Sequence, residues 1–397
     1  MIKPIIASIL DNDLYKFTQQ WAVLKQYPTV EVEYAFNNRR KSNKFNQEAV
    51  DIVKKQVEAM AFLRLTQEEK LAFQNKCPFL PLAYFEYLHN YRFNPAQVQI
   101  NLTNIDKNGW GDLEIKIKGL WHQTILWEVP LMALVSEVYF LVIDTNWTYE
   151  GQNEQFEAKG DLFEKHEIYY SEFGTRRRRS YINQDNAVAV LRKKKTLIGT
   201  SNVHLAIKHD IKAMGTVAHE WTMAHQVLCS IQRCNYYALK VWNDVYQGDL
   251  GIALTDTIGT DIFFADFDPV LSRLYDGIRH DSGDPFIFIK KAVSHYEKHR
   301  INPASKTALF SDGLNGEVVL KIHEACQNKI LDRYGIGTWI TNDFKNSPAL
   351  NIVIKLTIVN NKPVVKTSDV FSKAIGQKDA LRVTRWLVYG TPLDSDF

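Results

Sequence analysis

Leu14, Phe17, Trp21 and Leu24 recur at helical spacing, and Asp11, Asn12 or Asp13 stands where a cap belongs, so a helix is predicted there. Tyr15 and Lys16 lie off that apolar stripe, and Tyr27-Pro28 ends it. Residues 30–36 alternate as a strand does. Val50, Val53, Val57, Met60 and Ala61 line one face of a helix over 47–63, and Thr66 with Glu69 makes a capping box for the next. Two further alternating runs, 98–102 and 113–117, flank the turn residues Lys107-Asn108-Gly109. Up to about residue 125 the pattern predicts a mixed layer of helices and strands.

From Leu126 the pattern changes. Short apolar runs at 168–173, 196–198, 251–254, 307–310 and 334–336 alternate with helical stretches, among them 187–192, 218–231 and 316–327. Repetition of strand, loop and helix predicts parallel strands closed into a barrel. Residues 351–359 and 363–366 return to alternation around Asn360-Asn361-Lys362 and are expected to rejoin the N-terminal layer. The expected domains are 1–125, completed by 350–397, and 126–349.

A polar motif follows nearly every apolar run of the second half. They are Phe173-Gly174-Thr175-Arg176, Gly199-Thr200-Ser201-Asn202, Gly215-Thr216-Val217-Ala218-His219-Glu220, Thr255-Asp256, Arg279-His280-Asp281-Ser282-Gly283-Asp284, Ser311-Asp312-Gly313 and Gly335-Ile336-Gly337-Thr338. In a barrel of parallel strands, loops of this kind at one end build the active site. Glycines let backbone approach an anion, and hydroxyls, Arg and Asp supply contacts. The set reads as an enzyme for a phosphorylated, ribose-like substrate. The last two motifs are the ones suited to hold a phosphate. His219 and His225 are six residues apart, which does not suit zinc, since ligands on one helical face need a separation of roughly three or four.

Composition narrows the partners. The net charge of +3 neither requires nor excludes nucleic acid. The basic runs 176–179 and 193–195 could be a nucleic-acid patch or a solvated face; Tyr181 is the one aromatic close by, which favours the solvated face and no nucleic-acid partner. The apolar stretch 125–143 contains Glu128, Pro130 and Glu137 and is expected to be a buried helix rather than a bilayer span. The N-terminus lacks the basic-then-apolar pattern of a signal peptide, and Cys77, Cys229, Cys234 and Cys326 suit neither a zinc knuckle nor a disulfide framework. A cytoplasmic protein with reduced thiols and no membrane partner is expected.

Taken in order, Asp13-x-Tyr15-Lys16, Leu126-Trp127-Glu128-Val129-Pro130-Leu131, the motifs above and Leu350-Asn351-Ile352-Val353-Ile354-Lys355-Leu356 closely resemble nicotinate phosphoribosyltransferase of the bacterial and fungal type. The resemblance covers nearly the whole chain. It implies a fold similar to the type II phosphoribosyltransferases: an irregular α/β barrel plus an α/β sandwich domain. It implies that nicotinate displaces pyrophosphate from phosphoribosyl pyrophosphate, giving nicotinate mononucleotide for NAD synthesis by salvage. ATP enters as co-substrate, Mg²⁺ accompanies the phosphates, and the protein contributes no metal ligand of its own. A homodimer with sites at the subunit interface is implied as well. Relatives using nicotinamide or quinolinate are the nearest alternative.

The resemblance also implies roles. Phe173 stacks on the pyridine ring, and Tyr15 of the partner subunit covers its other face. Asp13 belongs to the same substrate-binding element as Tyr15. Arg279 orients the nicotinate carboxylate, Asp281 binds ribose hydroxyls, and Asp256 favours the oxocarbenium-like centre. Gly313, Gly337 and Thr338 hold the 5-phosphate, with Ser311 and Gly335 among the substrate-binding residues. Arg176 and Lys355 contact phosphate or pyrophosphate. His219 matches the histidine that ATP phosphorylates. Ser201 stands where nicotinamide-using relatives carry Asp, so the acid is expected to be preferred over the amide.

Overall fold

The computed structural model describes residues 3–370 and 373–390. Among them are twelve strands: β1 (Glu31–Asn38), β2 (Val98–Thr103), β3 (Asp112–Leu120), β4 (Tyr170–Glu172), β5 (Leu197–Thr200), β6 (Lys212–Ala213), β7 (Ile252–Leu254), β8 (Gly277–His280), β9 (Thr307–Phe310), β10 (Leu331–Ile336), β11 (Ile352–Val359) and β12 (Lys362–Pro363). Helices occupy most of the intervals, and the chain divides into two compact units.

The first unit comprises residues 3–29, 33–215 and 336–355. Its antiparallel sheet has the order β11-β1-β3-β2, so the alternating tail does return to the N-terminal strands. β2 and β3 pair with Ile100 opposite Ile115 and Leu102 opposite Leu113. That register puts the buried Ile100, Leu113, Ile115 and Ile117 on one face. β4, β5 and β6 are parallel and run in the order β6-β5-β4. The capping box is present: Glu69 N donates to Thr66 Oγ1 at 3.1 Å and Thr66 N donates to Glu69 Oε2 at 2.9 Å.

Helix Leu14–Gln26 departs from its predicted stripe. Leu14 and Phe17 are buried, but so are Lys16, Gln19 and Gln20, while Trp21 and Leu24 are only partly covered. The buried polar side chains have partners. Lys16 Nζ lies 2.5 Å from Glu128, and Gln20 donates to His122 O at 2.8 Å and accepts from Tyr84 at 2.8 Å. Asp13 stands at the N-cap but makes no capping bond, because its carboxylate receives Ser201 instead.

The stretch Trp121–Val142 is long and apolar enough to cross a membrane by length and composition, yet 78% of its most apolar window is buried inside the protein. It is the core helix that Glu128 and Glu137 had suggested. Arg178 and Arg179 correct the expectation for the basic run 176–179: both are fully buried. Arg178 grips Asp11 through two bonds of 2.7 and 2.8 Å. Arg179 donates to Ser347 and lies 3.5 Å from the ring centre of Phe140. Neither belongs to a solvated face or to a nucleic-acid patch.

The second unit comprises residues 30–32, 216–335 and 356–390, apart from 371–372. Its parallel strands run β10-β9-β8-β7, with Ile278 opposite both Ala253 and Ala308. All three side chains are buried, which makes the middle of this sheet apolar. Polar residues begin where the strands end. Asp284 caps helix Pro285–Lys298 through Phe286 N at 2.7 Å, and Asn315 caps Gly316–Cys326 through Val318 N at 2.9 Å. The four cysteines are free thiols.

Candidate active site

In the first unit the ends of β4 and β5 are tied by one carboxylate. Glu172 accepts from Thr200 Oγ1 at 2.5 Å, from Gln184 Nε2 at 3.1 and 3.2 Å, and from Gly174 N. Burial pushes its pKa up to about 7. This knot presents Phe173, half-buried, on one side and Ser201 on the other. Phe173 N is anchored on Ile336 O at 2.8 Å, and Ser201 N on Glu172 O at 2.8 Å. Gly174 has no room for a side chain, since a Cβ there would collide with Thr341.

Ser201 does not stand alone. Its hydroxyl donates to Asp13 Oδ1 at 2.7 Å, and its carbonyl accepts from Leu14 N at 2.7 Å. Burial raises the Asp13 carboxyl above its usual range, against the pull of Arg176. Tyr15, the next residue but one, is half-buried. Asn202 caps helix Val203–Lys208 through Leu205 N at 3.0 Å and donates to Asp11 at 2.7 Å.

A cationic cluster forms around Glu128. Lys16 is bound to it at 2.5 Å and Arg176 lies 3.7 Å away. Burial would raise Glu128, but Lys16, Lys355 and Arg176 outweigh it and bring the carboxyl down to about 2. Gly337 and Thr338 begin the short helix Thr338–Thr341, and a Cβ on Gly337 would stand 3.3 Å from Phe173 O. So Asp13, Tyr15, Phe173, Arg176, Ser201, Gly337, Thr338 and Lys355 all belong to the first unit.

In the second unit the expected residues converge on a histidine. His219 opens helix His219–Leu228. Its Nε2 lies 2.9 Å from Asp256 Oδ1, after β7, and 3.6 Å from Asp281 Oδ2, after β8. Arg279 reaches Asp281 at 3.8 Å and donates to Thr216. Ser311, after β9, donates to Asp281 Oδ1 at 2.7 Å. Gly313 has φ +59° and open space around it, a backbone state that glycine adopts freely. Gly335 lies within β10 and is buried, so it belongs to the strand rather than to the loop that follows.

The electrostatics favour a neutral imidazole. Burial is the main cause, the Lys366 ammonium adds to it, and together they bring His219 down to about 4 although Asp256 and Asp281 press the other way. Burial would also raise Asp281, but Arg279 foremost holds it at about 2. A proton on Nε2 shared with Asp256 leaves Nδ1 as the nitrogen not engaged with that carboxylate. His219, Asp256 and Asp281 offer ligand atoms within 4.8 Å of one another. Their donors are committed, however: Asp256 Oδ1 to His219, and Oδ2 to Lys366 at 2.8 Å and to Ser282 at 2.6 Å. The ammonium supplies the positive charge there, and no resident metal is assigned to these residues. His225 donates to Trp221 O at 2.7 Å, in keeping with the rejection of a two-histidine zinc site.

Lys366, Ser282, Glu128 and Glu172 were given no site role from the sequence, although Ser282 and Glu128 stand inside motifs that were. Lys366 ends an alternating run, and a cation there signals only an exposed edge. Its segment, 366–369, is bound across the β7 loop. Thr367 N donates to Thr257 O at 3.0 Å, Thr367 Oγ1 to Ile258 O at 2.7 Å, and Thr260 N to Asp369 at 2.8 Å.

Parallel strands ending in a Gly-rich loop, paired carboxylates, an arginine and a neutral histidine define an α/β enzyme of the phosphoribosyltransferase kind. Comparison with known proteins is specific. Residues 10–136 match the N-terminal domain of the nicotinate phosphoribosyltransferase (NAPRTase) family, and residues 168–391 match the family proper. The chain belongs to the nicotinate phosphoribosyltransferase family. It is 46% identical to the nicotinate phosphoribosyltransferase of Methanosarcina mazei over 98% of this chain and 100% of that protein. The corresponding enzyme of Chromohalobacter salexigens is 41% identical over 96% and 98%. Two solved nicotinate phosphoribosyltransferases share the fold. That of Porphyromonas gingivalis is 38% identical with a TM-score of 0.92, covering 96% of this chain and 99% of its own. That of Vibrio cholerae is 32% identical with a TM-score of 0.91, covering 99% and 96%. The fold class expected from the sequence is thereby borne out.

Proposed function

We propose that this enzyme transfers phosphoribosyl from phosphoribosyl pyrophosphate to nicotinate, releasing pyrophosphate and supplying nicotinate mononucleotide to NAD salvage, and that ATP drives it through His219. The observation that carries the ATP step is the buried neutral His219, with Nε2 2.9 Å from Asp256. A nitrogen nucleophile must keep its lone pair, and an imidazole fixed by one nitrogen presents the other for attack. The γ-phosphorus of ATP bonds to Nδ1, its bond to the bridging oxygen breaks, and ADP leaves with the electron pair. Asp256 then faces the positive ring that results. Mg²⁺ travels with the phosphates of the substrates.

In the first unit, Phe173 and Tyr15 are assigned to the pyridine ring. Ser201, held by Asp13, is assigned to discrimination between acid and amide. Arg176 and Lys355, gathered by Glu128, are assigned to phosphate, as are Gly337 and Thr338. In the second unit, Asp281 is assigned to ribose, Asp256 also to the oxocarbenium-like centre, Arg279 to an anionic group, and Ser311 and Gly313 to phosphate. Gly335 acts through the strand it belongs to. A homodimer working in the cytoplasm completes the reading.

The test is product formation followed by mass spectrometry, with phosphoribosyl pyrophosphate, Mg²⁺ and either nicotinate or nicotinamide, each with and without ATP. Nicotinate mononucleotide should form preferentially and faster with ATP. His219→Ala should abolish that acceleration while leaving some ATP-independent transfer. Normal ATP hydrolysis by the variant would remove His219 from the role.

A further inference from the structure

Two anions and two cations are interlocked around the histidine. Asp281 is met by Arg279 at 3.8 Å, and Asp256 is met by Lys366 at 2.8 Å. Lys366 and Asp256 are both buried, so their attraction is little screened by water. The lysine is itself fixed, because Lys366 N donates to Ile375 O at 2.9 Å and the next three residues are bound to the β7 and β8 loops. Ser368 Oγ donates to Ser282 Oγ at 2.9 Å, and Ser282 in turn donates to Asp256. Both oxygens of Asp256 are thereby engaged: Oδ2 from the tail side and Oδ1 with the imidazole.

We propose that Lys366 is a positioning residue for the phosphoryl-accepting histidine: its ammonium holds Asp256 by Oδ2, so that Oδ1 accepts the hydrogen bond from Nε2–H of His219 and Nδ1 is left to receive the phosphoryl group. This rests on the reading that ATP phosphorylates His219. The charged groups acting on the ring are Lys366 from the tail, Asp256 after β7 and Asp281 after β8, with Arg279 beside Asp281. Without the ammonium the ring faces Asp256 and Asp281 with only Arg279 in compensation. It would then attract a second proton, and an imidazolium has no lone pair to attack with. Burial and the Lys366 charge both act against that protonation.

Full-length protein labelled with ¹³C and ¹⁵N at histidine tests the proposal by NMR, with His219 assigned from its loss in His219→Asn. Wild-type His219 should carry its proton on Nε2 and stay neutral to pH 5. In Lys366→Gln it should titrate about one pH unit higher or more, while Lys366→Arg should stay close to wild type. A proton on Nδ1 in the wild type overturns the proposal without any variant, as does the same titration in wild type and Lys366→Gln. The same proteins, quenched after mixing with γ-labelled ATP, should show phosphoenzyme formation in Lys366→Gln falling to about half at pH 5 relative to pH 8, with Arg restoring the wild-type profile. Absence of phosphohistidine from the wild type would sink the ATP reading, and the NMR result would still decide whether Lys366 governs the ring.

Discussion

Asp11→Asn should destabilise the first unit sharply although it changes almost no volume. Asp11 is 2% exposed and its partner Arg178 is fully buried. The two make paired bonds of 2.7 and 2.8 Å, and Asp11 Oδ1 also accepts from Asn202 at 2.7 Å. Burial would raise the Asp11 carboxyl, but Arg178 and Asn202 outweigh it and hold the group below its usual range. In the variant, the amide NH₂ must face the guanidinium in either orientation, and in one of them the Asn202 amide as well, so donor meets donor. Arg178 stays charged, since arginine does not deprotonate in proteins. The other nearby anion is Glu137, 3.7 Å away, which burial raises to about 7. At neutral pH it carries roughly half a charge and recovers part of the loss. Breaking a buried pair costs about 3–5 kcal/mol, and the lower end is expected here, about 3 kcal/mol. The assay is urea unfolding at pH 7.5 in a cycle of Asp11→Asn, Arg178→Met and the double variant. The double should cost clearly less than the sum, by about 2 kcal/mol. The KM for nicotinate should rise severalfold in Asp11→Asn, because Asn202 adjoins Ser201. A single-variant loss below about 1 kcal/mol, or an additive cycle, would refute the reasoning.

Three further outcomes are expected. Ser201→Asp places a second carboxylate against Asp13, so nicotinate use should fall relative to nicotinamide; an unchanged ratio of kcat/KM for the two rings would dismiss the assignment. Gly174→Ala forces a methyl group into Thr341 and should displace the Gly337–Thr338 turn, raising KM for phosphoribosyl pyrophosphate by about tenfold or more, whereas Gly313→Ala has open space and pays only for its positive φ, about 1 kcal/mol. His219 sits at about 4 in the folded protein against a usual 6.5, so the unfolded chain binds that proton first. Its contribution is intact above pH 6.5 and is lost as pH falls towards 4, about 2–3 kcal/mol by pH 4.5. Glu137 and Glu172 respond in the opposite sense, so the check is the difference between wild type and His219→Gln: wild type should lose about 2–3 kcal/mol relative to the variant between pH 7 and pH 4.5, and a constant difference would contradict the assignment.

Much of the scaffold was legible in the chain. Thr66 and Glu69 declared a helix start, because a capping box is local chemistry, and the runs 251–254 and 307–310 declared buried strands by their apolarity. Strand β8 was missed, since Gly277-Ile278-Arg279-His280 mixes a glycine and two polar residues into a short run. Helix Pro285–Lys298 was hidden behind a motif read only as chemistry. At the site, His219, Asp256, Asp281 and Arg279 could be picked out from the loops that carry them. What could not be read was the partner of each charge. Lys16 lay off the apolar stripe and turned out to be buried, and Arg178 and Arg179 were indistinguishable from a solvated run. Such pairs span long separations, 167 residues for Asp11 and Arg178, and no local pattern records them.

The attachment of the 366–369 segment to the loop that holds Asp256 has a consequence for the life of the enzyme in the cell. Lys366 is translated 110 residues after the carboxylate it grips. A growing chain that already contains the histidine, both aspartates and Arg279 still lacks the cation that completes their arrangement. On the proposed role of His219, such a chain would meet ATP with an unfinished acceptor, and the nucleotide would be spared from unproductive turnover until synthesis is well advanced.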